Sequence, residues 1–386
     1  MKYRSIALNL ISVTHGWNDF LAIVIFPLLP LLISEFNLSY FEAGSVVFVF
    51  RATSAFLQPF VGYFGDRTGK KKLLLAIGIV CLSAALFLTG TANSYIVLLV
   101  AAFAVGLGAA VYHPLGVSML GDLFKNKRGF VLGIHGAAGG IGVFIAPLVA
   151  TYFAMIWGWR PFLMILIIPT GILAVLIIAL LRDLKAKSVT KPVLSGLANI
   201  RIILLMFIAF LITMCTSVML TFVPIFFVQG MSLSIFTAGL FTSIMLSTFI
   251  FSQPICGRIY DRLNSFRREM FALLIFGWGV CWFLYTVTPL PMSVIFITLG
   301  AFSISATWPI LFELTLRVAP KGVDSTAVGL VTGLTMVGSV SSMIFGGIAD
   351  LHGLAFSLPF AAVLAGLAGL LCFFLPRNLE EQNQFN

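Results

Sequence analysis

The chain is 386 residues long, 60% hydrophobic and only 9% charged, with a mean hydropathy of +1.10. A soluble globule of that composition would expose large apolar patches, so the chain reads as an integral membrane protein. Its net charge of +10 is not gathered on one soluble face, which argues against nucleic acid as a partner.

Apolar windows of about 20 residues recur throughout and alternating polar-in strands are absent, so the spans are helices. Lys2 and Arg4 precede the first run, which holds His15, Trp17, Asn18 and Asp19. That run continues to Ile33 without a small-x-small cleavage site, so it reads as a retained helix and not a leader. Six helices are expected at about 6–33, 41–65, 73–91, 95–121, 129–155 and 161–181, and six more at about 202–228, 235–257, 270–288, 292–318, 326–350 and 355–375. Between the sets lies RDLKAKSVTKPVLSGLANIR, the one long polar and basic segment. The expected organisation is an N-terminal six-helix bundle over 1–181, a cytoplasmic linker over 182–201 and a C-terminal six-helix bundle over 202–386. With this assignment every one of the 23 lysines and arginines except Arg51 and Arg160 falls on one side. The positive-inside rule makes that side cytoplasmic, with both termini inside a bacterial-type inner membrane. The five cysteines lie in apolar spans without paired spacing, which favours inert packing over metal or disulfide roles.

The halves repeat. Gln58, Pro59, Gly62, Asp66 and Arg67 recur as Gln253, Pro254, Gly257, Asp261 and Arg262, and Pro114 recurs as Pro309, at a constant offset of 195 residues (58 to 253, 114 to 309). The first copy, GYFGDRTGKKKLLL, places glycines where the chain turns sharply and helices approach closely. Asp66 stands where a carboxylate can accept from helix-start amides or pair with a base of the other bundle, and Lys70, Lys71 and Lys72 face lipid headgroups or that bundle.

Gly62, Asp66, Arg67, Gly69 and Lys70, in the spacing Gly-x-x-x-Asp-Arg-x-Gly-Lys, resemble the loop 2–3 signature of the major facilitator superfamily, and Gly257, Asp261 and Arg262 sit where that family carries its second copy. The resemblance implies two six-helix bundles rocking about a central site, with these residues latching the cytoplasmic side. Asn264 stands in place of the second copy's glycine, which weakens that latch. In the fifth helix, Gly133, Gly142 and Pro147 resemble the motif of proton-driven exporters, although Ala146 replaces a glycine; close helix packing is the other reading. SVTHGWNDFLAIVIFPLLPLL and VYHP are similar to the fosmidomycin-resistance group of bacterial efflux carriers. His15, Asn18, Asp19, Gln58, Pro59, His113 and Pro114 match its patterns, whereas Arg51 departs from an expected uncharged polar residue.

Ionisable residues within spans are functional candidates by default. A rise of 1.5 Å per residue places Asp19 and Arg51 both about 22 Å from the cytoplasmic edge, so an ion pair between consecutive helices is expected. It serves either as a static tie or as a switch in which protonating Asp19 frees Arg51 for an anion. Met214 and Leu246 occupy the repeat positions. His15, His113 and His135 come out at one depth of about 16 Å. Three imidazoles there can hydrogen-bond across helices, relay protons or contact substrate, or hold a metal. Glu313 lies one turn before Arg317, as a local ion pair or as part of a gate beyond Pro309.

The expectation is therefore an all-α, twelve-helix, monomeric secondary transporter, exporting a small drug or metabolite, anionic or not, in exchange for protons, with Arg51 suiting an anion. Uptake of an organic anion or metal chelate is the alternative. No cofactor, resident metal or nucleic acid is called for, membrane lipids surround the chain, and neither a catalytic constellation nor a soluble sensing domain for an enzyme or receptor is visible.

Overall fold

The computed structural model describes residues 2–124, 128–183, 200–263, 266–318, 331, 333 and 335–375. Among these, every regular element is helical, and eleven helices are long and apolar enough to cross a membrane. They are α1 (Tyr3–Phe36), α2 (Tyr40–Gly65), α3 (Lys71–Thr91), α4 (Tyr95–Leu123), α5 (Ile134–Trp157), α6 (Trp159–Leu180), α7 (Ile200–Gly230), α8 (Ile235–Tyr260), α9 (Arg268–Val287), α10 (Met292–Leu311) and α12 (Leu354–Cys372). Between the last two, α11 (Val340–His352) is the described end of the span expected at 326–350, whose start lies outside the described residues. Packing divides the chain into two compact units, Met1–Thr190 with Thr221–Ser247, and Lys191–Leu220 with Thr248–Asn386.

In the first unit α1 packs chiefly on α5 and then α4, α2 on α4, and α3 on α4 and α6. α1 is not continuous. Its helix stops at Ile23, passes through a 3-10 turn at Phe26–Leu28 and resumes as Leu29–Phe36. Pro27 and Pro30 explain the break, since each removes a backbone donor and crowds the preceding turn. A capping box then starts α2: Ser39 Oγ accepts from the Glu42 amide at 3.1 Å, and Glu42 Oε2 accepts from the Ser39 amide at 2.9 Å.

The turn between α2 and α3 shows what its glycines do. Gly69 is left-handed at φ 70° and closes the helix by donating to the Gly65 carbonyl at 3.0 Å. Leu115 of α4 fills the space a side chain on Gly65 would need. Arg67 donates to the Tyr63 hydroxyl at 3.3 Å and Lys70 is exposed. Lys71, expected at the headgroups or the other bundle, is instead buried. Its Nζ donates to Ser118 at 2.6 Å and lies 3.7 Å from Asp122. The reason is rotational: α3 packs one face on α4, so only one of three successive lysines turns inward, while Lys72 pairs with Asp183 at 3.9 Å. The side chain of Asp66 lies outside the described residues, as do those of Asp261 and Glu313. In the second copy Arg262 is exposed, and a side chain added at Gly257 would meet nothing within 4 Å.

In the second unit α9 packs on α10 and α12 and buries Trp278, Trp282 and Tyr285. Trp282 Nε1 donates to the Leu358 carbonyl at 2.7 Å. Short hydroxyl contacts tie neighbouring helices, Ser217 to Ser342 at 3.0 Å and Ser341 to the Met214 carbonyl at 2.9 Å.

At the far end of the first unit from Gly69, Arg160 joins α1, α3 and α6. It donates twice to Glu35 Oε1, from Nη2 at 2.7 Å and Nε at 3.1 Å, and from Nη1 to the Gly90 and Ala92 carbonyls. Its guanidinium also lies 4.4 Å from the Trp159 ring centre. A lysine has no planar fork with which to reach these acceptors. Arg160→Lys and Arg160→Gln are therefore expected to destabilise the protein by similar amounts, about 1–3 kcal/mol, read as thermal unfolding of the detergent-solubilised chain.

Candidate functional site

Five side chains from three helices of the first unit meet in the interior of the spans. α1 supplies His15 and Asp19, one turn apart on one face, α4 supplies Tyr112 and His113, and α5 supplies His135. His15 Nε2 lies 3.2 Å from Asp19 Oδ2, His113 Nε2 lies 3.5 Å from Asp19 Oδ1, and Asn18 Nδ2 donates to Asp19 Oδ1 at 3.1 Å. The rings of Tyr112 and His135 lie near-parallel to that of His15, with centres at 5.2 Å and 4.1 Å, and 5.9 Å from each other. The Tyr112 hydroxyl donates to the Ile11 carbonyl, which fixes that wall of the stack.

One contact sets the protonation of the cluster. His15 Nδ1 lies 2.7 Å from the backbone carbonyl of His135, and a carbonyl only accepts, so Nδ1 carries a hydrogen. A neutral His15 would then turn the bare lone pair of Nε2 toward a carboxylate oxygen at 3.2 Å. Two acceptors do not approach so closely in a desolvated site unless a cation lies between them. The dyad therefore holds a proton, either as imidazolium with carboxylate or as imidazole with carboxylic acid. His113 is the open member of the cluster, with its side chain 43% exposed against 11% for His15 and 17% for Asp19.

The ion pair expected between Asp19 and Arg51 is not formed. Asp19 is engaged by His15, His113 and Asn18. The guanidinium carbon of Arg51 lies 5.5 Å from the Phe26 ring centre, and its Nε is buried without a hydrogen-bond partner. The physical reason is the packing order: α1 lies on α5 and α4, so equal depth on consecutive helices did not bring the two charges together. Phe26 reaches Arg51 from the broken middle of α1.

The site depends on a close crossing of α1 and α5. A side chain at Gly139 would sit 2.5 Å from His15 Cε1 and 2.8 Å from Asp19 Oδ2, and one at Gly142 would strike the Gly16 backbone. Gly142 thus acts at the α1–α5 crossing, and the Leu148 amide, one residue past Pro147, donates to Ser243 Oγ of α8 at 3.0 Å. The side chain position of Gly133 lies outside the described residues. Sequence reading overlooked Tyr112, Gly139 and Phe26. The first stood in plain sight in VYHP, and the second in the glycine run of α5. Beyond the crossing, α1, α5 and α6 line an open groove of about 530 Å³ that includes Trp17, Ile141, Phe153 and Leu166; its walls are almost wholly apolar.

The model of the Major Facilitator Superfamily matches residues 9–342 and, in a second match, 205–384. The chain is 32% identical over 151 residues to the "Fosmidomycin resistance protein" of Escherichia coli (strain K12), covering 39% of this chain and 37% of that one. It thus spans little more than a third of that relative's length. It is 25% identical to the "Probable sulfoacetate transporter SauU" of Cupriavidus necator, covering 90% of this chain and 87% of that one. Among solved structures, a bacterial homolog to the human lysosomal transporter Spinster superposes with a TM-score of 0.83 at 16% identity, over 96% of each chain, a likeness of fold.

Two glycines of α5 separate crossing from propensity. Gly139→Ala is expected to cost about 1–3 kcal/mol through overpacking on His15 and Asp19. Gly136→Ala, where an added Cβ meets nothing within 4 Å, is expected to be neutral or to stabilise by up to about 1 kcal/mol. Thermal unfolding of the two variants side by side is the measurement.

Proposed function

The chain belongs to the Major Facilitator Superfamily of transporters, and within it we propose that it carries a small anion coupled to protons, exporting it across a bacterial inner membrane. The observation that carries the reading is the presence, in one unit, of a proton-holding dyad and of a cation that forms no ion pair among the described residues. His15 and Asp19 hold one labile proton in a desolvated site. Arg51 has a buried Nε without a hydrogen-bond partner and no ion pair within the cluster. An arginine kept in a membrane interior at that cost is the kind of group that waits for an anionic cargo. Its planar fork suits a two-oxygen acceptor such as a carboxylate or sulfonate.

The roles follow from position. Asp19 and His15 hold the coupling proton, and His113, the exposed member, is its route to water. Asn18, Tyr112 and His135 orient the dyad, and Arg51 meets the substrate. The turn from Gly62 to Lys70, with Gly257, Asp261 and Arg262, serves as the latch between bundles 1–181 and 202–386, and Glu313 as a gate. Export is supported by the resemblance of the α1 and α4 motifs to efflux carriers and by the fosmidomycin-resistance relative. A second reading, symport, is favoured by electrostatics: the dyad's proton and Arg51 have the same sign, so loading one raises the attraction for an anion. The relative named for sulfoacetate supports an anion in either direction.

The test uses proteoliposomes with an imposed pH gradient and radiolabelled small sulfonates and carboxylates. Accumulation against a gradient of one polarity identifies exchange, and of the other, symport. Arg51→Gln is expected to fold and to lose transport about 10- to 100-fold, the worth of a charge-assisted hydrogen bond. Asp19→Asn is expected to keep substrate exchange at equal pH and lose gradient-driven accumulation. Because the two side chains are not paired, the double variant should recover neither. Gradient-driven accumulation by Asp19→Asn would remove the coupling role from the dyad.

A further inference from the structure

We propose that His15, Asp19 and His113 also form a binding site for a divalent transition-metal ion. One nitrogen from each imidazole and a carboxylate oxygen lie within 4.8 Å of one another. A tetrahedral ion with bonds of about 2.0–2.1 Å holds its donors about 3.4 Å apart. One edge of that figure already has this length, 3.2 Å from His15 Nε2 to Asp19 Oδ2, while His113 Nε2 lies 3.5 Å from the other carboxylate oxygen, Oδ1. The other two edges, from His113 to the carboxylate and to His15, lie within 4.8 Å and close by rotation of His113, whose partly exposed ring has room to move.

The supporting contacts are those that metal ligands use. His15 spends Nδ1–H on the His135 carbonyl at 2.7 Å, which aims the Nε2 lone pair at the site, and Asn18 holds Asp19 Oδ1 at 3.1 Å. The rings of Tyr112 and His135 pack near-parallel against His15 and restrict its plane. Two imidazoles and one carboxylate suit zinc, cobalt or nickel; calcium and magnesium take oxygen ligands at higher coordination. The exposed side of His113 leaves a fourth position for water.

The close approach of Nε2 to a carboxylate requires a positive charge between them, and a metal ion supplies it as a proton does. Bound metal needs both imidazoles unprotonated, so it displaces the proton and its affinity falls with pH below the histidine range, about 6.5. The other titratable or charged groups around the site are Tyr112 on α4, His135 on α5 and Arg51 on α2. The cationic Arg51 opposes a dication and weakens binding without preventing it.

This proposal uses the same side chains as the transport reading but does not depend on transport. Full-length protein with its affinity tag removed is titrated with Co²⁺, followed by d–d absorption, and with Zn²⁺ by calorimetry, without substrate or gradient. At about pH 7.5 one ion per chain and a tetrahedral-type cobalt spectrum are expected, with release of about one proton. At about pH 5.5 binding should be at least about tenfold weaker. His113→Gln, at a partly exposed position that tolerates change, should weaken binding about 10- to 100-fold, and Asp19→Asn likewise. If Asp19→Asn does not fold, His113→Gln alone decides. No binding up to millimolar ion, or an affinity unchanged by His113→Gln, overturns the site. pH-driven transport assayed with chelator present reports separately on proton coupling, so failure of one reading is distinguishable from failure of the other.

Discussion

The hydrogen bond from His15 Nδ1 to the His135 carbonyl is the contact on which the polar centre of the first unit depends. It fixes a tautomer, and the tautomer fixes what stands between Nε2 and Asp19. Without it His15 could donate Nε2–H to a carboxylate and the pair would need no additional proton. With it, a charge is obligatory, in a place where uncompensated charge costs several kcal/mol. Tyr112 reinforces the arrangement by bonding to the Ile11 carbonyl one turn earlier on α1 while its ring covers His15. The chemistry is thus held by backbone carbonyls of α1 and α5, which cannot titrate and cannot be moved without moving a helix.

That bond in turn requires α1 and α5 to touch. The carbonyl of His135 comes within reach because Gly16, Gly139 and Gly142 leave no Cβ of their own to hold the two helices apart. Small residues at a helix crossing have a general packing role in membranes, where burial of apolar surface gives helices no reason to associate. Here the same residues have a chemical consequence, since any Cβ at Gly139 would enter the space of the dyad. Above the dyad, the proline break in α1 lets Phe26 lie beside Arg51. An unbroken helix would continue its ridge past that point.

Much of this was legible in the sequence, and what was not has a definite cause. The spans were readable because a bilayer demands about 20 apolar residues whatever the neighbours. Eleven of the twelve appear, most of them within a few residues of their expected bounds, and the break at Pro27 did not disturb the first. The gathering of His15, His113 and His135 at one level was readable because depth follows from a fixed rise per residue. Which helices touch at that depth does not follow from it. Adjacency along the chain suggested α1 beside α2 and hence Asp19 beside Arg51, whereas α1 packs on α5 and α4. Lys71 was misjudged for a related reason: three successive lysines span most of a helical turn, and only the position of α4 determines which one turns inward to Ser118 and Asp122. Tyr112 was hidden by its ordinariness, an aromatic among many.

The repeat sharpens the contrast between what a fold needs and what a function needs. Both halves keep the proline in the second helix of the set, Pro59 and Pro254, and the glycine three residues after it. Those positions answer to helix geometry, which the halves share. The ionisable residues within the spans do not repeat, although Asp66 and Arg67 at the turn do. Met214 and Leu246, which stand where Asp19 and Arg51 stand in the first half, are 8% and 0% exposed. Around Met214 the polar contacts are neutral and local, its carbonyl accepting from Ser341 and Ser217 meeting Ser342. Serines and threonines suffice to tie helices together, as the second unit demonstrates by using them. A charged cluster in only one half therefore answers to something other than assembly. Asp19, Arg51 and the three histidines carry a desolvation cost that a scaffold of the same design does without.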